Sequence, residues 1–391
     1  MYDERYNSTD LGMYDDYAPF EKEESTDGLF SPFTYLCFVL FLALFGLATL
    51  FSSSYDVAIR DGIKFYALFY KQAISLVISA LVGTALFFVP LNVLKKLYFL
   101  TYPVYLVLFG LFFFLPSLLS FYTLKSTFAL LGVISLIFFL SDVVTIIKER
   151  ERMGILLIFT LLITVFTLIS ETYISGLAWY LLSSIVIISI LVATRAKKSY
   201  IIFYSIALLV LLVFLTLGIP HLFYSLSKSI MPISSSEYYS EDLYFSSLAI
   251  KEGGVSGIGV GNGLYKLGLI SNIEGEYIFA SLSEEIGVIG LLLILFCALM
   301  ILIVGLRSSS RAYKKGEKYL STLLSSLIVF FVFSLLINML YVSGLLPFEG
   351  VPLFLFSYNP VCEGLIVIIL LLLYKIIYRL GRSKERWEKK L

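Results

Sequence analysis

The sequence predicts an all-α, polytopic integral membrane protein with about ten spans, on three observations. Of 391 residues, 59% are hydrophobic and only 15% charged, with a mean hydropathy of +0.93. A soluble chain carries about 25% charged residues. The apolar residues fall into windows long enough to cross a bilayer, since a hydrocarbon core of about 30 Å takes about 20 helical residues. Lysines and arginines between those windows alternate from one side to the other, as the positive-inside rule requires.

Residues 1–32 form an acidic cytoplasmic tail bearing Asp3, Glu4, Asp10, Asp15, Asp16, Glu21, Glu23 and Glu24. It lacks the basic-then-apolar layout of a cleavable signal peptide and reads as a disordered, solvated segment. Spans are predicted at about 33–53, 72–90, 97–115, 125–147, 153–170, 174–193, 200–217, 278–305, 320–343 and 361–379. The connections holding Lys95/Lys96, Lys148/Arg150/Arg152, Arg195/Lys197/Lys198 and Arg307/Arg311/Lys314/Lys315/Lys318 share one side with the basic end, which continues as a tail over 380–391. Connections near 116–124, 170–174 and 344–360 contain no Lys or Arg. Both termini are therefore expected in the cytoplasm. Two outer loops stand apart: 54–71, with Asp56, Arg60, Asp61, Lys64 and Lys71, and 218–277, which lies between the seventh and eighth spans. Loops of that second length are uncommon and usually functional; its aromatic and aliphatic residues read as short amphipathic helices on the membrane surface.

Cys37, Cys297 and Cys362 are scattered, and His221 is the single histidine. That pattern argues against a disulfide framework or a zinc site, and no metal site is expected. The run Gly253-Gly254-Val255-Ser256-Gly257-Ile258-Gly259-Val260-Gly261-Asn262-Gly263 lacks the Gly-Lys-Ser/Thr of a nucleotide loop and its strand–helix setting. Its bland reading is tight backbone approach; a backbone cradle for a lipid-linked pyrophosphate is the alternative. No nucleic-acid partner is expected. Glu276 is expected at the outer mouth of the span beginning near Tyr277, with Glu284 and Glu285 about 12 Å further along the helix. Ionisable residues in spans are functional candidates by default, and helix-start carboxylates favoured by the macrodipole are the alternative. On this reading Glu276 faces an outer site and Glu284 or Glu285 fixes a buried polar contact. The segment Gly344–Tyr358, with Pro347, Gly350 and Pro352, is predicted as a rigid outer turn and as a candidate wall of the same site.

These stretches resemble the SEDS family of bacterial cell-wall polymerases (RodA, FtsW, SpoVE). The family's Gly-Gly-x-x-Gly-x-Gly-x-Gly run is matched within Gly253–Gly263, its Asp-Phe-Ile-Phe-Ala at Glu276-Tyr277-Ile278-Phe279-Ala280, and its Glu-Glu-x-Gly at Glu284-Glu285-Ile286-Gly287. The Pro-rich stretch is matched at Gly344–Tyr358, and Gly46–Ser54 and Phe69–Gln72 resemble the first span and second-span entry. The resemblance implies an inverting peptidoglycan glycosyltransferase in the bacterial cytoplasmic membrane that joins lipid II units on the outer face, beside a class B penicillin-binding protein. It assigns Glu276 as general base. Lys71, Lys251, Lys266, Glu274, Ser357 and Tyr358 become candidate substrate contacts, and Glu284, Glu285, Gly257, Gly259, Asn338, Pro347 and Pro352 supporting residues. No cofactor is implied beyond a divalent cation at the leaving group, for which no ligand set is visible.

The chain also departs from the pattern. Glu276 replaces the family's aspartate, Glu274 replaces a histidine, and Tyr358-Asn359-Pro360-Val361-Cys362 replaces Tyr-Gly-Gly-Ser-Ser. Three middle motifs (Asn-Gly-Ala-x-Arg-Trp, Gln-Pro-Ser-Glu and Gln-Pro-Asp-Leu-Gly) are missing, and Ser170-Glu171-Thr172-Tyr173 stands nearest the last. Two further readings therefore stand beside the polymerase: a non-catalytic shape or division subunit, and a flippase of lipid-linked precursors.

Overall fold

The computed structural model describes residues 30–60, 62–91, 93, 122–146, 175–196, 198–218, 241–346 and 351–388. Nine helices are described: α1 (Pro32–Arg60), α2 (Ala67–Phe88), α3 (Tyr122–Ile146), α4 (Ser175–Ala193), α5 (Lys198–Gly218), α6 (Glu241–Gly253), α7 (Ile278–Lys314), α8 (Lys318–Val342) and α9 (Pro360–Glu388). Eight of them coincide with predicted spans. The spans predicted at 97–115 and 153–170, and Pro347, lie outside the described residues. Five helices are long and apolar enough to cross a membrane over their described length.

α8 is the central mast. Nearly every side chain from Leu320 to Val342 is buried, under α3, α4 and α7. α7 in turn lies on α1 and α6, and α9 lies on α2. In lipid, helices gain little from the hydrophobic effect on meeting each other, so close van der Waals packing holds them. Several hydroxyls on the spans are satisfied locally: Ser53 donates to Thr49 O, Ser308 to Val304 O and Ser326 to Thr322 O. Without such bonds each would be an orphan in an apolar setting. Lys375 of α9 donates to Leu86 O (2.9 Å) and to Val89 O at the end of α2. A buried ammonium there satisfies carbonyls that the last helical turn leaves open.

Two boundaries differ from expectation, and the large loop agrees with it. α1 continues to Arg60 rather than ending near 53, so much of the first outer loop is a helix projecting past the apolar window, and the described residues 62–66 carry no helix before α2 begins at Ala67. The large loop contains α6, a short helix of the kind expected there, followed by a run of turns over 254–277. α9 continues as helix to Glu388, so the basic end starts as an extension of the last span rather than as a separate tail.

Candidate functional site

α7 is broken. Gly287 has φ 68° and ψ −159°, which splits the element into a short helix over 278–286 and a long span from 288. The break opens backbone groups on both sides, and the glycine run fills them. Ile258 N donates to Glu284 O and Gly259 N to Glu285 O, both at 3.0 Å, while Val288 N donates to Gly254 O (3.0 Å) and Ile289 N to Val255 O (3.2 Å). Two segments about thirty residues apart thus replace the missing intrahelical ladder, as buried backbone polar groups require. The approach tolerates no side chain at Gly257 (φ 74°), where a Cβ would lie 2.1 Å from Glu285 O. The glycine run is therefore a backbone clamp: the N–H groups of Gly257, Ile258 and Gly259 are already spent within the chain, which overturns a cradle built on them for pyrophosphate.

Glu284 and Glu285 lie two turns along the helix from its acidic start, as expected, but the break after them places both at the end of the short helix rather than inside the long span. Glu285 Oε1 accepts from Ser52 Oγ of α1 and from Lys266 Nζ, each at 2.6 Å, and Lys266 also donates to Ser52 Oγ at 2.9 Å. Glu284 Oε1 accepts from Leu264 N (2.5 Å) and Tyr265 N (3.2 Å). Lys266, expected to reach substrate phosphate, is instead only 4% exposed and committed to this ion pair. Leaving Glu285 alone in the interior would be far costlier than pairing it.

The other end of the short helix carries the acidic turn. Its three consecutive carbonyls are each held by a different group. Glu274 O accepts from Tyr358 N (2.7 Å), Gly275 O from Ser357 Oγ (2.9 Å), and Glu276 O from Asn338 Nδ2 (3.0 Å). Asn338 Nδ2 also donates to Val351 O at 2.8 Å, next to the buried Pro352. Tyr277, the next residue, shares a 2.5 Å hydroxyl–hydroxyl bond with Tyr341 of α8. The short helix is thus a crossbar, tied to α8 at its acidic start and to α1 at its end, and buried throughout 278–285. With the backbone of 274–276 fixed, the carboxylates of Glu274 and Glu276 are carried on half-buried residues at one end of the bundle. Burial, and then the charge of Glu274, push the Tyr358 phenol above its ordinary range.

The remaining predicted contacts divide. Tyr358 joins the acidic turn. Ser357 joins it through its buried hydroxyl, which accepts from Leu353 N (2.9 Å) and donates to Gly275 O, so it braces the backbone of the turn rather than facing a ligand. Lys71 in the first turn of α2 and Lys251 in the last turn of α6 are exposed, and no bond of the described residues draws either into the grip.

Sequence reasoning missed two buried groups. Asn359 caps α9, accepting from Cys362 N (3.2 Å) and donating to Ser126 Oγ of α3 (2.9 Å). Glu363, fully buried in the first turns of α9, accepts from Leu355 N at 2.5 Å, and Leu355 holds a left-handed φ of 74°. A lone carboxylate at the start of an apolar span was the available signal. Among the described residues no three His, Cys, Asp or Glu side chains converge. The described residues therefore do not form a protein cage for a divalent cation, and no step is assigned to one.

A bundle of long apolar helices with a clamped acidic turn at one end defines a multi-span membrane protein. The match to known families is to the cell cycle protein family of FtsW, RodA and SpoVE, over residues 33–386. The chain belongs to that family. A probable peptidoglycan glycosyltransferase FtsW of Methylomonas methanica is 31% identical over 112 residues, 29% of each chain. The peptidoglycan glycosyltransferase MrdB of Escherichia coli K12 is 30% identical over 145 residues, 37% of each. The matched stretches thus span only about three to four tenths of these relatives' length. The fold is similar to a chain in a peptidoglycan synthase complex that coordinates polymerization and crosslinking (TM-score 0.65, 15% identity, covering 89% of this chain and 98% of that one). It is also similar to the rod shape determining protein RodA of Thermus thermophilus (TM-score 0.57, 16% identity, 89% and 96%).

Proposed function

We propose that this protein is a peptidoglycan glycosyltransferase that joins lipid II disaccharide units on the outer face of the bacterial cytoplasmic membrane, with Glu276 as general base. The observation that carries the reading is the three-point grip on residues 274–276. A catalytic carboxylate works only if held within about 1 Å of its productive position, and here three consecutive carbonyls are fixed by three separate groups. In the reaction Glu276 takes the proton of the acceptor hydroxyl, the hydroxyl oxygen bonds to the anomeric carbon, and the bond from that carbon to pyrophosphate breaks with inversion. Undecaprenyl pyrophosphate leaves carrying the electron pair. General-base assistance of this kind contributes about 100- to 10,000-fold. Glu274 and Tyr358 flank the base as substrate contacts.

The names of the relatives support the reaction class, and the neighbouring fold in a complex that both polymerises and crosslinks supports a class B penicillin-binding protein as partner. The experiment is polymerisation of purified lipid II by the reconstituted protein, alone and with that partner. Glycan strands support the reading. Normal folding without product under either condition makes the protein a non-catalytic subunit, and lipid transport without polymer makes it a flippase.

A further inference from the structure

We propose that residues 255–269 form an apolar apron seated in the outer leaflet of the bilayer, tying the crossbar to the membrane surface. Val255, Val260 and Leu264 are 73%, 70% and 64% exposed, and Leu267 and Leu269 are exposed beside them. Between Gly253 and Ile270 the only charged residue is Lys266, and its ammonium is turned inward onto Glu285. Scattered exposed aliphatics are ordinary, but a contiguous stretch of them marks a contact surface.

The neighbouring structure identifies the occupant as lipid. Val255 O is bonded to Ile289 N, and Gly254 O to Val288 N, so the apron starts level with the first turn of the α7 span. Val288, Ile289 and Leu292 of that span present exposed apolar side chains, as lipid-facing positions do. The apron therefore continues a surface that already meets hydrocarbon. Polarity returns on its two edges: Lys251 and Glu252 are exposed at the end of α6, and Ser271 N donates to Asp242 Oδ1 at 2.6 Å. A charged rim around an apolar tip is how interfacial segments sit in the headgroup–acyl boundary.

The inward side of the same loop gives the seat its consequence. Leu264 offers its side chain outward and its N–H to Glu284; Lys266 reaches Glu285, and Leu267 turns outward again. Side chains in the leaflet and groups holding the crossbar alternate along four residues. The leaflet thereby bears on the element that carries Glu276 at its other end. The proposal needs only that the protein spans a membrane, and it stands whether or not the polymerase reading does.

The test uses the full chain with the exposed Cys37 replaced by serine; Cys297 and Cys362 are buried. Single cysteines at Val260, Leu264 and, as a rim control, Glu252 are labelled with an environment-sensitive nitrobenzoxadiazole dye. The proteins are reconstituted into phosphatidylethanolamine–phosphatidylglycerol vesicles. The expected result at 260 and 264 is blue-shifted emission, quenching by lipids with a shallow nitroxide, and iodide quenching several-fold weaker than at 252. Iodide quenching equal to that at 252 would overturn the proposal. So would protection that appears only when a partner protein is reconstituted alongside, which would make this face a protein interface.

Discussion

Replacing Asn338 by alanine removes one side-chain amide that serves two carbonyls, Glu276 O at 3.0 Å and Val351 O at 2.8 Å. Leaving a buried acceptor without its donor costs about 1–3 kcal/mol. Val351 is fully enclosed while Glu276 is half-buried, so roughly 2–4 kcal/mol of stability is expected to go, weighted toward the Val351 end. The effect on chemistry is separate. Asn338 is the only one of the three grips that reaches Glu276, the proposed base, and a displacement of about 1 Å can cost about 100-fold in rate. In lipid II polymerisation with purified protein, kcat should therefore fall about 100-fold, equivalent to about 2.7 kcal/mol of barrier, with KM little changed. Asn338→Asp keeps the volume but sets a carboxylate against two carbonyl oxygens, so it should fall at least as far. Asn338→Ala with unchanged kcat in a protein that has lost stability would refute the idea that the grip positions Glu276.

Other perturbations test the frame around the turn. Lys266→Met should destabilise the protein by about 3–5 kcal/mol in detergent unfolding, because Glu285 is left buried and unpaired, and adding Glu285→Met should restore much of the loss; failure of the double variant to recover would show that the pair is not the source. Gly257→Ala forces a Cβ to 2.1 Å from Glu285 O and should prevent the clamp from forming. Gly261→Ala, with positive φ but open space, should cost only about 1–2 kcal/mol, and equal losses would contradict the clamp. Glu363→Gln keeps an acceptor for Leu355 N–H and should unfold close to the parent, whereas Glu363→Leu orphans that donor and should lose about 1–3 kcal/mol.

The spans were legible because crossing a bilayer demands a long apolar window, a signal that lies along the chain and needs no knowledge of neighbours. The acidic turn was legible for a similar reason: Glu276 stands where a polar loop meets such a window. What the sequence hid depends on pairings across distance. Nothing local shows that Gly254 and Val255 will complete the backbone of Val288 and Ile289, so α7 read as one rod and Glu284 and Glu285 as deep carboxylates. Lys266 looked like a loop lysine free to meet phosphate because its partners, Ser52 and Glu285, belong to other elements. Ser357 looked like a ligand contact in a motif, although its hydroxyl is spent on Leu353 and Gly275. α1 outran its predicted end because Asp56 and Arg60 mark the edge of the apolar window, not of the helix.

The most direct test of the central claim is the polymerisation rate of Glu276→Gln, measured on purified lipid II with the partner present and set beside Glu276→Asp. Glutamine keeps the shape and cannot take a proton, so glycan strands should disappear, while aspartate, which retains the carboxylate, should keep measurable activity. Glu276→Gln polymerising at the rate of the unsubstituted protein would contradict the assignment of Glu276 as the base.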